Sequence, residues 1–476
     1  MPGSDFPNVI AIDLGAESCR VSLLRWSEDK PHIELVHRFG NSPITVGASV
    51  HWNLQHILNE LDNGLMRCAE RCAEPIASIG VDGWAVDYVR VDRQLSALSD
   101  PYCYRDSRTE ETFAEMEGRC ASVELFLRNG VQPLRINTLY QLMADKKAGV
   151  PDPVPWANLP EYVLARFGGR LVAEYTNATH TGLVDLRKHA WNKEAFDLAG
   201  LSIDAAPELV ATGTDLGMFR DGLGESTALS QTRLIAVACH DTASAVAAIP
   251  IEGDDWAYLS SGTWSLLGTL LEAPIMTSEA GAAGFTNLGA AGNRICFHKN
   301  LNGMWLLKQT MLQLCPEPDM WPMAELVAAA EAVEAPERLL DVDDPPLLLS
   351  GSMASRINAQ RARLGTSQLE EHTSAMPQFA SLIFHSLANR YAETLRDLEA
   401  LTGKRLKRLA IVGGGSLNQF LNRLTSEVTG LDIFCGVAES ATIGNFAVQL
   451  ASLEGKPNSP ARIAHWARTL TSLHHC

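Results

Sequence analysis

At 476 residues the chain is longer than one hydrophobic core usually serves, so two domains of roughly 200 residues each are expected. Its 46% apolar and 20% charged content, with 36 Gly and 23 Pro, belongs to a soluble globular enzyme and excludes a disordered or fibrous chain. The 39 basic and 56 acidic residues leave a formal net charge of -17, which argues against wrapping nucleic acid or lying on an anionic membrane. It says little about small substrates, because a local cationic pocket can sit in an acidic protein.

The opening MPGSDFPNVIAIDLG lacks a basic region followed by a long apolar stretch and a small-residue cleavage site. Apolar runs such as residues 234–239 fall far short of a membrane span. A cytoplasmic location is expected, with the 10 cysteines reduced. Cys68 and Cys72 stand four apart on an expected helix but have no second ligand pair near them, so they read as core or surface thiols.

In chain order, residues 9–13 form a short apolar run ending in a carboxylate, 15–18 are turn-like, and 20–26 and 33–39 are strand-like. The first two strands predict a hairpin with residues 13–19 at its tip. Residues 54–72 predict a helix, with Ile57, Leu58, Leu61, Leu65 and Met66 at a 3.6-residue period, and 77–81 a buried strand. Pro151, Pro153, Pro155 and Pro160 break any helix between them, and this middle region reads as inserted loops shaping a substrate pocket. The second half repeats the theme, with a strand at 256–260, a turn at Gly262 and a strand at 265–271. A long amphipathic helix is expected over 379–401, with Gly403 as its C-cap. A strand at 409–412 then meets the glycines 413–415, and a helix starts near Ser416 as N-cap. No close sequence repeat is visible. The boundary is placed where an alanine-rich run gives way to PIEGDD, giving domains 1–247 and 248–476.

Four segments carry chemistry. In DLGAESCR (13–20) a strand ends in Asp and a tight turn offers backbone N–H groups that can cradle phosphate, with Asp13 holding Mg²⁺ through water. The alternative is an ordinary hairpin turn. SSGTWS (260–265) is a second strand–turn–strand, and VGGGS (412–416) brings close-approaching backbone and a helix start to a nucleotide. ACHDTASA (238–245) places His240 and Asp241 between an apolar strand and a small-residue helix, where the carboxylate can take a proton or simply cap the helix.

The order DLGxxxxR, HDT, SSGTW, GGG resembles the FGGY carbohydrate kinases. The segments IGVDGWAVDY (79–88), YRDSRT (104–109), NTLYQL (137–142), EYTNAT (174–179) and KNLNGMWLL (299–307) narrow the likeness to its rhamnulokinase branch. The resemblance runs from about residue 8 to about 450. It implies an α/β, two-domain actin/hexokinase-like ATPase fold with ribonuclease H-like cores. It also implies a phosphate-facing turn at Ala16, Glu17, Ser18, Cys19 and Arg20 beside a metal-side Asp13, and Asp241 as general base. His240, Thr242, Ala85 and Asn300 would touch the sugar, and Thr263, Lys308 and Gly414 would touch ATP. Cys19 and Ala85 stand where the family usually has Gly, Lys308 where it has Gln, and DTWG has become DGWA.

The implied reaction is phosphoryl transfer from MgATP to the hydroxyl on the first carbon of a ketose, L-rhamnulose foremost, with domain closure excluding water. Phosphate-facing motifs do not separate this from an L-fuculokinase or a xylulokinase. A catalytically silent sugar or nucleotide sensor of the same fold is the reading from another class, and the presence of both Asp13 and Asp241 argues against it. Of Trp84, Trp264 and Trp305, at least two are expected in the core and one is open to serve as a sugar platform.

Overall fold

The computed structural model describes residues 6–220, 227–317, 320–436, 439–471 and 474–475. Its framework is two mixed sheets. The first contains β1 (Asn8–Leu14), β2 (Ser18–Ser27), β3 (Lys30–Gly40), β4 (Ile76–Gly83), β5 (Thr214–Met218) and β6 (Arg233–Ala236). Their order is β5-β6-β4-β1-β2-β3. Strand β1 is buried at every residue, as an unbroken apolar run covered on both faces must be. The second sheet contains β7 (Trp256–Ser261), β8 (Trp264–Leu271), β9 (Phe285–Ala290), β10 (Arg294–Asn302), β11 (Arg408–Val412), β12 (Asp432–Cys435) and β13 (His474–His475), in the order β9-β10-β8-β7-β11-β12-β13.

The two sheets share one plan that the sequence hides. β1, β2 and β3 run antiparallel in succession, and β4 and then β6 join parallel on the other side of β1. β7, β8 and β10 repeat the antiparallel succession, and β11 and β12 the parallel one. β1 and β7 are therefore counterparts, and each ends in a hairpin tip.

Helix α1 (Leu54–Glu70) lies on the first sheet and buries Ile57, Leu58, Leu61 and Leu65; Met66, expected on this face, is exposed because it sits at the stripe's edge. Helices α2 (Asp241–Ala247), α3 (Trp305–Leu314), α4 (Met376–Thr402), α5 (Gln419–Thr429), α6 (Ser440–Leu453) and α7 (Pro460–Leu470) follow. α4 fills the second domain's core, packing Phe379, Ile383, Leu387 and Tyr391 with Leu259, Leu267 and Phe297, and Gly403 closes it at φ +69° as expected. The cap of α5 is Asn418, not Ser416: the Ser416 hydroxyl donates to Gly413 O at 2.8 Å and closes a short 3₁₀ turn first.

The region between β4 and β5 is not a set of loops. It holds helices at Thr109–Arg119, Ser122–Asn129, Thr138–Lys147 and Leu159–Arg166. It also has a core of its own around Met116, Tyr140, Leu142, Trp156 and Phe196. Pro160 starts the last of these helices, where its missing N–H costs nothing.

Between the sheets, three helices pack on the sheet of the opposite half. α6 and α7 bring Ile443, Phe446, Ala447, Ile463 and Trp466 onto Val9, Ala11, Ile235 and Val237 of the first sheet. α2 packs Ala245 and Val246 with Tyr258, Leu270 and Ala410 of the second. α2 and α6 cross where Gly444 meets Ser244: a Cβ on Gly444 would lie 1.8 Å from Ser244 O.

Among the described residues no helix is long and apolar enough to cross a membrane. Eight cysteines, Cys68 and Cys72 included, are free. Cys435 departs from the expectation of reduced thiols: it is disulfide-bonded at the end of β12. Cys476 lies outside the described residues.

Two glycine substitutions test the crossing. Gly444→Ala gains up to about 1 kcal/mol of helix propensity, but its methyl meets backbone that cannot swing aside, and overpacking costs about 1–3 kcal/mol or more. It is expected to lower the melting temperature in calorimetry. Gly118→Ala, in the Thr109–Arg119 helix with nothing within 4 Å of the added carbon, should hold or raise it.

Candidate active site

Three carboxylates converge where the first sheet meets α2. Asp13 sits near the end of β1 and is paired in register with Asp82 on the parallel strand β4. Asp241 opens α2. Arg20, opposite Asp13 on β2, holds Asp13 Oδ2 at 3.0 Å and reaches Glu439 Oε2 at 3.0 Å. Burial lifts the Asp13 carboxyl to about 7, with Arg20 opposing and Asp241 and Glu439 reinforcing. Burial, then Asp13, pushes Asp82 well above the usual carboxylate range. Burial also raises Asp241 to about 6, although 38% of its side chain stays open to solvent. Its Oδ1 accepts from the backbone N–H and the hydroxyl of Thr242, so the Thr242 hydroxyl is already engaged.

The imidazoles here are neutral. Burial lowers His240 to about 3; His240 Nε2 lies 3.3 Å from Asp241 Oδ1. His180 stands 3.9 Å from His240, ring to ring, and its pKa too is driven well down, first by burial.

The EYTNAT segment is the frame beneath this motif. Glu174 accepts the N–H of Cys239 at 3.0 Å and caps the Tyr175–Ala178 helix, while Thr176 Oγ1 accepts the N–H of His240 at 3.4 Å. Glu161 in turn accepts from Glu174 N at 3.1 Å and Asn177 Nδ2 at 2.9 Å.

On the expected sugar side, Ala85 is buried beside Val86, a β-branched residue at φ +72°. Such a conformation costs on the order of 1–3 kcal/mol and persists only where neighbours fix it. Thr138 Oγ1 donates to Val86 O at 2.7 Å. The next residue, Asp87, accepts from the indoles of Trp52 (2.6 Å) and Trp84 (3.0 Å), from Tyr104 N (3.2 Å) and from Gln141 Nε2 (3.1 Å). These contacts give the YRDSRT and NTLYQL segments their purpose: both clamp the DGWAVD loop. Asn300 lies exposed on β10.

On the expected nucleotide side, the β7–β8 tip and the glycine turn form one unit. Gly413 has φ +81°, and a Cβ there would lie 2.8 Å from Ser261 O. A Cβ on Gly415 would strike Ser261 Oγ at 1.9 Å, whereas Gly414 faces open space. Thr263, at the tip between them, accepts Trp305 N at its carbonyl. Trp84 is buried, Trp305 packs on the second core and Trp264 is 48% exposed at the tip.

In the first turn only glycine fits at Gly15, where a Cβ would lie 2.4 Å from Ser18 O, and Asn41 braces the turn through Gly15 O and Glu17 O. Ala16, Ser18 and Arg20 are partly open and Glu17 is exposed. Glu17 Oε1 meets Lys308 Nζ at 2.8 Å, joining the first turn to α3 of the other half. Cys19 is a correction. Its side chain points into the first core beside Ile12 and Val21, and burial pushes the thiol up to about 12. Its backbone has no positive φ, so a cysteine causes no strain there.

Sequence reasoning missed Asp82, quoted only within a motif, although its register opposite Asp13 follows from aligning the two strand ends. Asn445, which reaches Asp82 from α6, and Glu439, which reaches Arg20 from its cap, carried no local signal.

Two like sheets with carboxylates at the strand ends of one and a glycine cradle on the other define a two-domain kinase of the actin/hexokinase-like class. Comparison with known proteins agrees. The N-terminal domain of the FGGY family of carbohydrate kinases matches residues 8–248, and its C-terminal domain residues 257–453. A rhamnulokinase of Enterobacter sp. (strain 638) is 36% identical over 454 residues, 94% of this chain and 90% of that one. A rhamnulokinase of Ligilactobacillus salivarius (strain UCC118) is 33% identical over 93% of this chain and 89% of its own. Gluconate kinase from Lactobacillus acidophilus shares the fold at TM-score 0.77 and 15% identity, covering 99% of this chain and 93% of its own. Plasmodium falciparum glycerol kinase with ADP does so at TM-score 0.74 and 15% identity, covering 99% and 94%. The chain belongs to the FGGY family of carbohydrate kinases.

The buried Cys19 thiol makes a test. Wild type and Cys19→Ala should lose activity at the same rate under an alkylating reagent, with or without MgATP. Faster loss in wild type, slowed by MgATP, would show that the thiol faces the nucleotide instead.

Proposed function

We propose that the protein transfers the γ-phosphoryl group of ATP to the first-carbon hydroxyl of a ketose, L-rhamnulose foremost, giving the 1-phosphate. The observation that carries this reading is the place of Asp241: it opens α2 with 38% of its side chain exposed, 3.3 Å from His240 Nε2, and burial raises its carboxyl to about 6. A base with that pKa is ionised at neutral pH yet basic enough to accept a proton as the oxygen attacks. The choice of ketose rests on the rhamnulokinase relatives at 33–36% identity.

In this scheme the 413–415 glycines and the Ser261–Trp264 tip hold the nucleotide by close backbone approach. The first turn and Arg20 face the transferred phosphoryl group. His240 and the clamped loop at Ala85 orient the sugar so that its hydroxyl meets Asp241. Catalysis is then mostly positioning and charge neutralisation. The Asp13 site suits a divalent cation: its carboxyl is held at about 7 among like charges, with Arg20 the one cation acting on it. Mg²⁺ there would be taken up largely through phosphate and water. Bound there, it would neutralise phosphate charge. The Glu17–Lys308 and Arg20–Glu439 pairs draw the two halves together at the cleft and support closure over the substrates.

A ketose panel with ADP detection tests the substrate: turnover with L-rhamnulose well above L-fuculose and xylulose isomers is expected, and the reverse order would reassign it. Asp241→Asn should cut turnover by roughly 100-fold or more with sugar and ATP still bound. In wild type, activity should fall below pH of about 6 as Asp241 takes up a proton and can no longer accept one. Near-normal turnover in the variant would end the assignment.

Lys308→Gln separates binding from stability. Both partners of its ion pair are largely exposed, at 46% and 65%, and such pairs contribute about 0–1 kcal/mol. The melting temperature should stay put while KM for ATP changes. An unchanged KM would show that Lys308 serves Glu17 alone.

A further inference from the structure

Asp82 is fully buried, and its two oxygens differ. Oδ2 accepts from Asn445 Nδ2 of α6 at 2.6 Å, while Oδ1 is buried with no partner. A buried carboxylate oxygen left bare is costly and asks for an explanation. Its register partner on β1 is Asp13, and Asp241 and Arg20 also act on it, so it belongs to the same cluster.

Asn445 is itself held. Its Oδ1 accepts from Gln449 Nε2 at 2.7 Å; Gln449 also donates to Ile10 O at 2.9 Å and accepts from Ser78 Oγ at 2.6 Å. Gly80 makes the room, since a Cβ there would lie 2.6 Å from Asn445 Oδ1 and 2.9 Å from Gln449 Nε2. A buried polar line thus runs from the first sheet through α6 to Asp82. It occupies Oδ2 and leaves Oδ1 for the cluster. Asn445 follows Gly444, where α6 crosses the helix that begins with Asp241.

We infer that Asp82 is a second carboxylate for the divalent cation, acting with Asp13, and that Asn445 is the residue that positions it. The inference rests on the kinase reading above. A cation between the two register-paired carboxyl groups would give the bare oxygen a partner, and the remaining positions are left to phosphate and water. Ligand carboxylates are themselves held by hydrogen bonds of the kind Asn445 supplies.

The test is Mn²⁺ titrated into the full-length protein with ADP present, free Mn²⁺ being read by electron paramagnetic resonance. Wild type should bind. Asp82→Asn and Asp13→Ala should each weaken Mn²⁺ by about 10-fold or more, and Asn445→Ser, which keeps the carboxylate and removes its donor, by several-fold. In metal-free buffer Asp82→Asn should melt no lower than wild type, because it replaces a buried acid crowded against Asp13 with a neutral amide of the same shape. Wild-type Mn²⁺ affinity in Asp82→Asn, with Asp13→Ala impaired, would overturn the inference and leave the kinase reading intact. If Asp82→Asn does not fold, unchanged Mn²⁺ affinity in Asn445→Ser overturns it. A wild type that phosphorylates no ketose and binds no Mn²⁺ would instead bring down the functional reading first, and this inference with it.

Discussion

The structure depends on one close approach, that of Gly444 on α6 to Ser244 on α2. These helices each pack on the sheet of the other half, so their crossing is a joint between the two domains. Any side chain at 444 would push them apart. Because Asp241 begins α2 and Asn445 directly follows Gly444, the crossing also fixes where the site's carboxylates stand relative to one another. Interdomain packing and site geometry are here one constraint.

The site built on this joint is short of positive charge. Asp13, Asp82 and Asp241 lie together and the neighbouring imidazoles are held neutral by burial. Arg20 alone is shared between Asp13 and Glu439. Such a cluster is costly without a cation, since each carboxylate is pushed toward its protonated form. On the opposite sheet the glycines 413 and 415 pack tightly on Ser261, and Gly414 faces open space.

Much of this was legible in the sequence, for physical reasons. Buried strands such as β1 announce themselves as apolar runs, hairpin tips as Gly and Ser clusters, and α4 by its 3.6-residue period with glycine at its end. The helix exchange was not legible, because apolar faces say that a helix is buried and not against which sheet. Cys19 was legible and misplaced: Cys19, Val21 and Leu23 alternate with Ser18, Ser22 and Leu24 along β2, and strand alternation puts the cysteine on the core side with Val21. The 84–213 region was misjudged because its prolines fall between helices or at a helix start, where they break nothing.

The same geometry ranks the places where this chain departs from its family. Neither Cys19 nor Ala85 adopts a positive φ, so a side chain at either position carries no backbone strain. The strained residue is Val86, and the hydrogen bonds converging on it and on Asp87 hold the loop whatever stands at 85. Those two substitutions therefore leave the frame of the site as it was. Lys308 is different in kind: it puts a full positive charge on α3, already turned toward the first phosphate-facing turn through Glu17. A charge there acts on its surroundings over a longer range than a methyl or a thiol does. Lys308 is therefore the departure that changes charge where the two halves meet, whereas Cys19 and Ala85 change only packing.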